Sequence, residues 1–166
     1  MKPEAILNGS AIFIDTNVLI YARRNRSQQC RSLLVRCESR AVIGVITPLI
    51  LAEFCHRRMM QESQSIGLAM SNPAKSLSER PDTVRQLSVY ADDVRSLAAG
   101  DLTIVPIEAP DFAVALELQR QHGLLTNDSL NLAGAKRLVI KEIVTADTHF
   151  DTVQGLIIYK PDDLIL

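Results

Sequence analysis

Aromatic residues are scarce in this sequence, with three Tyr, four Phe and no Trp among 166 residues. The scarcity argues against aromatic stacking as the main means of holding a ligand. No apolar run approaches the roughly 20 residues that a membrane-spanning helix needs, and the first ten residues contain no apolar stretch typical of a signal peptide. We therefore expect a cytoplasmic protein that does not associate with a membrane.

Cysteine is also scarce. The three residues form no even framework for disulfide bonds. Cys30 and Cys37 are seven residues apart in a helical pattern, which predicts that both face a protein core. We expect all three, including Cys55, to be reduced thiols that are buried in the fold.

Neither sign of charge dominates, since the net charge is −1. The chain as a whole therefore does not have the charge of a polyanion-binding protein. Locally the balance differs: from Arg23 to Arg40 there are six arginines and one acid, Glu38, a net charge of +5. A local excess of positive charge of this kind is compatible with contacts to phosphate groups.

Short apolar segments alternate with helical patterns along the chain. We predict strands at 11–15, 41–46, 102–107, 143–145 and 156–159, and helices at 18–24, 28–39, 48–61, 110–122 and 126–138. This alternation predicts an α/β three-layer sandwich with a parallel sheet of about five strands and helices on both faces. We predict one domain over 1–166, with an extended insert at about 62–100 that forms a loop at 63–78 and then a helix at 83–99.

Four carboxylates lie against sequence that should be buried. Asp15 and Asp147 each follow an apolar strand, Asp128 opens a helix, and Glu53 lies inside an apolar helical pattern. Acids are rarely buried unless they are paired or bind a cation. Because parallel sheets bind ligands beyond the carboxyl ends of their strands, the four acids could meet at that edge.

Each acid also has a simpler explanation. Asp15 could cap the helix that follows it, and Glu53 could pair with Arg57 one turn later. Asp128 is favoured at a helix start by the helix dipole, and Asp147 could begin a turn. The combination of all four favours a shared site. Clustered carboxylates take up protons unless a cation holds them, and oxygen ligands without His or Cys favour Mg²⁺ or Mn²⁺ over zinc.

The flanking residues of these acids resemble one family. The similar segments are Ile14–Tyr21, the helix around Glu53, Leu125–Leu130, Val144–Asp151 and Gly155–Leu156. They resemble PIN-domain ribonucleases, and most of all the toxins of VapC-type toxin–antitoxin pairs, over most of 11–161. The resemblance implies a PIN-like fold and a Mg²⁺-dependent RNA endonuclease, in which Mn²⁺ could substitute, with Asp15, Glu53, Asp128 and Asp147 as catalytic and metal-binding acids.

The resemblance implies further residues and partners. Thr16, Asn17 and Thr126 match positions that support the site by hydrogen bonds, and Asp151 matches an outer acid. A cognate antitoxin protein and a homodimer are implied as well. As RNA-binding candidates we take Arg23, Arg24, Arg26 and Arg31, for which a solvated helix face or a docking surface for an acidic partner is the alternative.

Other classes of protein remain open on the sequence alone. A phosphatase of the haloacid-dehalogenase type needs a second Asp two residues after the first as general acid, and Asn17 stands there instead. A PIN fold kept as an interaction module without nuclease activity is a stronger alternative. The chain also departs from compact members of the family in the length of 62–100 and in its near-neutral charge.

Overall fold

The computed structural model of the protein describes residues 1–67 and 73–165. Its centre is a five-stranded, entirely parallel sheet with the strand order β3-β2-β1-β4-β5. The strands are β1 (Ala11–Ile14), β2 (Ile43–Ile46), β3 (Thr103–Ile104), β4 (Glu142–Val144) and β5 (Ile157–Tyr159). The helices are α1 (Thr16–Arg23), α2 (Gln28–Glu38), α3 (Pro48–Ser65), α4 (Pro73–Ser78), α5 (Pro81–Gln86), α6 (Val89–Ala98), α7 (Ala109–His122) and α8 (Thr126–Arg137), and single 3₁₀ turns occur at Pro3–Ala5 and His149–Thr152. The predicted parallel α/β architecture is confirmed.

The chain divides into two compact units. The first consists of Met1–Ile50 and Asp101–Leu166 and contains the whole sheet, and the second consists of Leu51–Gly100. Helix α3 begins in the first unit and continues into the second, which also holds α4, α5 and α6. The predicted insert at 62–100 falls within the second unit.

Strand β1 is central because it pairs with β2 on one side and β4 on the other. Its residues Ile12, Phe13 and Ile14 are at most 2% exposed, as expected for a strand that is covered on both faces. Next to it, Gly44 of β2 admits no side chain. An added Cβ would lie 2.6 Å from Leu102 Cδ2 and 2.8 Å from Cys37 Sγ. The absence of a side chain at this position is therefore what lets α2 and the segment before β3 approach β2 so closely.

Several helix ends follow the predicted signals. The Thr47 hydroxyl accepts from the Ile50 backbone N–H, and α3 begins at Pro48. Gly123 ends α7 with φ of +70°, the left-handed conformation that glycine adopts without strain. Cys30 and Cys37 are buried on one face of α2, as predicted, whereas the prediction of burial is wrong for Cys55, which is half-buried. All three are free thiols. Within the described ranges, the protein has no helix that is both long and apolar enough to cross a membrane.

The sequence predictions were least accurate between α3 and β3. The predicted loop at 63–78 is wrong at both ends, because α3 continues to Ser65 and α4 occupies Pro73–Ser78; its middle, 68–72, lies outside the described residues. The single helix predicted at 83–99 is two helices, α5 and α6. The Glu62 carboxylate explains the break, since it accepts hydrogen bonds from the backbone N–H groups of Ser88, Val89 and Tyr90 and so fixes a new helix start there.

The predicted strand at 102–107 is also too long. Only Thr103 and Ile104 pair with β2, and both side chains are exposed at the edge of the sheet. Pro106 follows closely and has no N–H to donate to a ladder, which explains why the strand is short.

Candidate active site

The carboxyl ends of β1 and β4 place two chain segments side by side. Ile14 is in register with Val144, and the Asp15 backbone N–H donates to the Val144 carbonyl oxygen at 3.0 Å. Asp15 also caps α1, because its Oδ1 accepts from the Thr16 backbone N–H at 2.6 Å. The simpler explanation of Asp15 as a helix cap is therefore correct for one of its two carboxylate oxygens.

The second carboxylate oxygen of Asp15 faces Thr145, which directly follows β4. Thr145 is fully buried, and its hydroxyl donates a hydrogen bond to Asp15 Oδ2 at 2.6 Å. The same hydroxyl accepts from the Asp147 backbone N–H at 2.9 Å and from Asn17 Nδ2 at 3.2 Å. One donor and two acceptor positions are all that a hydroxyl has. Thr145 thus uses its full capacity to join Asp15, Asn17 and the segment that carries Asp147.

Asn17 completes this network from the first turn of α1. Its Nδ2 donates to Asp15 Oδ2 at 2.5 Å, and its Oδ1 accepts from the Ala146 backbone N–H at 3.0 Å. The amide side chain therefore connects α1 to the loop after β4. Asn17 supplies donors to Asp15 and has no proton to give as an acid, in agreement with the argument against a haloacid-dehalogenase phosphatase.

Asp147 is half-buried and begins a short turn. Its Oδ1 accepts from the His149 backbone N–H at 2.9 Å and lies 3.2 Å from His149 Nδ1. The simpler explanation of Asp147 as a turn residue therefore also applies. His149 is 60% exposed, and Asp151 forms an ion pair with Lys160 at 2.6 Å. That contact gives the candidate outer acid a cationic partner from the residue after β5.

Asp128 is the third residue of α8, where the helix dipole favours a negative charge. The helix begins at Thr126, as predicted, and Leu125 occupies the cap position. Thr126 is exposed, and its carbonyl oxygen accepts from the Ser129 hydroxyl. Because α8 leads into the parallel strand β4, its first turn lies toward the edge of the sheet where β4 ends.

Glu53 belongs to the second unit. Its side chain is 36% exposed, and its Oε1 lies 3.5 Å from Nη1 of Arg57, one turn further along α3. The predicted alternative for Glu53, an ion pair within its own helix, is therefore present.

The arginines between 23 and 40 divide into two groups. Arg26, Arg36 and Arg40 hold the fold together: Arg26 exchanges hydrogen bonds with Ile165, Arg36 donates to backbone oxygens near the N-terminus, and Arg40 pairs with Asp101. The side chains of Arg23, Arg24 and Arg31 are exposed. These three guanidinium groups therefore lie at the surface, whereas Arg26 is half-buried.

The donor atoms at this edge suit a hard divalent cation. Among residues 1–67 and 73–165, no three His, Cys, Asp or Glu side chains are grouped closely enough to hold a metal ion. Mg²⁺, however, keeps several waters and is usually bound through one or two carboxylates together with substrate phosphates. Thr145 joins the Asp15 carboxylate to the backbone N–H of Asp147, so these are two acids at this edge that such binding would need.

Thr145 is the residue that sequence reasoning missed. Its hydroxyl makes three hydrogen bonds in this network, yet the sequence pattern predicts it only as the end of an apolar strand. A usable signal was present: a hydroxyl residue ends the apolar run Ile143–Val144 and stands two residues before Asp147.

Comparison with known proteins agrees with the fold. Residues 12–156 match the PIN domain family. The chain belongs to the PIN domain family. No curated protein gives a significant sequence match to this PIN domain.

Two similar solved structures are toxin–antitoxin complexes. One is VapBC2 from Rickettsia felis bound to a DNA fragment from their promoter, with 16% identity, a TM-score of 0.58, and coverage of 92% of this chain and 99% of that chain. The other is a toxin–antitoxin complex from Klebsiella pneumoniae, with 17% identity, a TM-score of 0.56, and coverage of 88% and 95%. At these identities the similarity shows a shared fold.

Proposed function

We propose that this PIN domain is a Mg²⁺-dependent endoribonuclease that hydrolyses RNA phosphodiester bonds, and that it is the toxin of a toxin–antitoxin pair. The observation that carries the proposal is the network in which Thr145 and Asn17 hold the Asp15 carboxylate beside the Asp147 segment. PIN domains are generally nucleases, and two acids fixed at the carboxyl edge of the sheet fit that chemistry.

The proposed roles follow from the contacts. Asp15 and Asp147, together with Asp128, would hold Mg²⁺, for which Mn²⁺ could substitute. Such an ion, when bound, lowers the pKa of a coordinated water and neutralises the charge that develops on the phosphate. Asn17 and Thr145 fix the orientation of the Asp15 carboxylate by donating two hydrogen bonds to Oδ2.

Three further assignments come from the family resemblance. Glu53 belongs to the proposed acidic set, with the role of orienting water or binding the ion through water. Thr16 and Thr126 are proposed supporting residues, and Asp151 is a proposed outer acid whose charge is shared with Lys160.

RNA is the proposed substrate, held first by its backbone. The exposed side chains of Arg23, Arg24 and Arg31 are the proposed phosphate contacts. Single-stranded or looped RNA suits a site at the edge of a sheet, since its backbone can bend into it. Arg26 has the weakest case, because its guanidinium already donates to the Ile165 carbonyl oxygen.

The biological setting is the least direct part of the proposal. Both similar solved structures are toxin–antitoxin complexes, which supports an antitoxin partner. We propose that this partner covers the acidic edge. We also propose a homodimer and a cytoplasmic location, where the RNA substrate is found. Expression of the protein alone should arrest growth, and co-expression of a small protein encoded beside it should relieve the arrest. Harmless expression of an active nuclease would refute the toxin assignment and leave the nuclease assignment intact.

The nuclease assignment is tested with Asp15→Asn. The purified protein should cut RNA with Mg²⁺ or Mn²⁺ and lose activity in EDTA, and D15N should cut at least about a hundredfold more slowly. Asp82→Asn is the matched control, because Asp82 is an exposed acid on α5 that pairs with Arg85. Cleavage that survives both EDTA and D15N would overturn the proposal.

One alternative has an observation in its favour. Because no three acidic, His or Cys side chains are grouped for metal binding in the part of the chain that is described, the PIN fold could serve as an interaction module. Mn²⁺ titration followed by electron paramagnetic resonance separates the two functions. A saturable site that is lost in D15N supports the nuclease, and no site together with a stable protein partner supports the module. Hydrolysis of a phosphate monoester in place of RNA would instead support the alternative of a phosphatase-like hydrolase.

A further inference from the structure

Helix α8, which carries Asp128, is buried around almost its whole circumference. Seven consecutive residues, Ser129–Ala135, are buried. Five of them are Leu, Ala or Gly, whose apolar contacts are not directional. The directional contacts that help to set the rotation of α8 therefore come from its few buried polar groups.

Two polar side chains of α8 have partners on other elements. Asn131 is 5% exposed, and its Oδ1 accepts a 2.5 Å hydrogen bond from the Thr47 hydroxyl, which follows β2 and is fully buried. Ser129, also fully buried, accepts a 3.0 Å hydrogen bond from Nε2 of Gln119 on α7. A rotation of α8 by one residue would break both bonds and leave buried polar groups without partners, which is costly.

The packing around Thr47 leaves little freedom. A Cβ added to Gly134 would lie 3.3 Å from Ile107 Cδ1 and 3.8 Å from Thr47 Cγ2, so the helix approaches Thr47 one turn after Asn131 as well. Thr47 itself is fixed, because its hydroxyl also accepts from the Ile50 backbone N–H. The Thr47–Asn131 hydrogen bond therefore ties α8 to a rigid point at the carboxyl end of β2.

Asp128 lies three residues before Asn131, so the two side chains are neighbours on the same face of the helix. We infer that Asn131 is a positioning residue: its hydrogen bond with Thr47 sets the rotation of α8 and thereby aims Asp128 at the edge of the sheet. The inference rests on the proposed nuclease function for its kinetic consequence. It has a structural consequence that does not depend on activity.

The experiment compares Asn131→Leu with Val42→Ala. Leucine is close to asparagine in size and removes the hydrogen bond, whereas Val42 is a buried residue just before β2, at the opposite end of that strand from Thr47. Both variants should lower Tm. Only N131L should lower kcat for RNA cleavage at least about tenfold while KM for RNA stays within about twofold, because a misplaced Asp128 affects the chemical step rather than RNA binding. The Mg²⁺ concentration for half-maximal activity should rise for N131L alone.

One conservative control and one measurement that does not depend on activity complete the test. Thr47→Ser retains the hydroxyl and should keep the wild-type kcat. Hydrogen exchange of the α8 amides after the first turn should accelerate in N131L more than in V42A. If N131L does not fold, Asn131→Ser replaces it in the same comparison.

The outcomes separate the two ideas. A wild-type protein that does not cut RNA refutes the proposed function, and the exchange data alone then decide the role of Asn131. An active wild type with N131L indistinguishable from V42A in kcat, Mg²⁺ dependence and hydrogen exchange overturns the positioning role and leaves the nuclease in place.

Discussion

Thr145 donates its hydroxyl proton to Asp15 Oδ2 over 2.6 Å, although the two residues are 130 positions apart in the chain. Replacing Thr145 with valine keeps the shape of the side chain and removes this hydrogen bond. It also leaves the Asp147 backbone N–H without its acceptor. We expect the unfolding free energy of T145V to be lower by about 1–3 kcal/mol, since Asp15 Oδ2 loses this donor and the Asp147 backbone N–H loses its acceptor.

The same substitution should reduce RNA cleavage by at least about tenfold, because Asp15 is no longer held in one orientation. Thr145→Ser is the control, since it restores the hydroxyl and should restore most of the activity. Denaturant titration and single-turnover cleavage measure the two effects. A fully active T145V would show that the hydroxyl serves stability alone.

RNA binding through the exposed arginines should depend on the salt concentration. The double variant Arg24→Gln/Arg31→Gln should bind single-stranded RNA more weakly. The logarithm of the association constant decreases with the logarithm of the salt concentration, and the magnitude of this slope should decrease by about 1.4 if each arginine neutralises one phosphate. Arg85→Gln on α5 is an exposed control in the second unit. An unchanged slope would favour the solvated-face explanation, and a selective loss of antitoxin binding would favour the docking surface.

Asp111 should make the folding stability of the protein depend on pH in the acid range. It is 2% exposed, its Oδ1 lies 3.1 Å from Arg137 Nε, and its Oδ2 accepts from the Glu108 backbone N–H. Burial by itself would raise the pKa of this carboxyl, but the Glu108 and Arg137 hydrogen bonds and the Arg137 charge together lower it below the ordinary value. A carboxyl whose pKa is lower in the folded state stabilises the protein above its unfolded pKa of about 3.9, and that stabilisation is lost as the pH falls through the folded value.

Asp111→Asn should therefore cost about 1–3 kcal/mol at pH 7, and the difference from the wild type should shrink below about pH 4. Urea titrations between neutral and acid pH measure the difference. Asp92→Asn is the control, since the Asp92–Arg95 pair is about three-quarters exposed and should contribute little. A difference that does not change with pH would mean that the charge of Asp111 is not responsible.

Glu62 makes a local prediction within the second unit. Its carboxylate accepts three backbone N–H groups at the start of α6. Although burial tends to raise its pKa, the hydrogen bonds from Tyr90, Ser88 and Val89 outweigh that effect and lower the pKa. Glu62→Gln should destabilise the start of α6 by about 1 kcal/mol. Hydrogen exchange at 88–92 should accelerate, whereas the exposed control Glu79→Gln should leave it unchanged.

The parallel sheet could be predicted because its signals are local. Short apolar runs, a capping Thr before Pro48 and a Gly after α7 are each visible within a few residues. The placement of Asp15 and Asp147 after neighbouring strands followed from the same patterns and a general rule about parallel sheets. The family resemblance then supplied which acids to consider together.

What could not be predicted depends on contacts between distant residues. Glu62 interrupts the helical pattern 26 residues later, and nothing near Ser88 announces it. Arg26 resembles its exposed neighbours until the chain returns to it at Ile165. Thr145 looks like the end of an apolar strand until Asn17 and Asp15 are placed beside it. In each case the deciding partner lies on another element, where periodicity gives no information.

The two buried cysteines of α2 can report how often this part of the protein unfolds. Burial raises the pKa of both the Cys30 and Cys37 thiols to about 11, so at neutral pH only about one thiol in ten thousand is a reactive thiolate. Both residues are at most 2% exposed, so reagents such as iodoacetamide modify them only when the packing around α2 opens. Their labelling rate measures how often the first unit opens, with no added dye or tag.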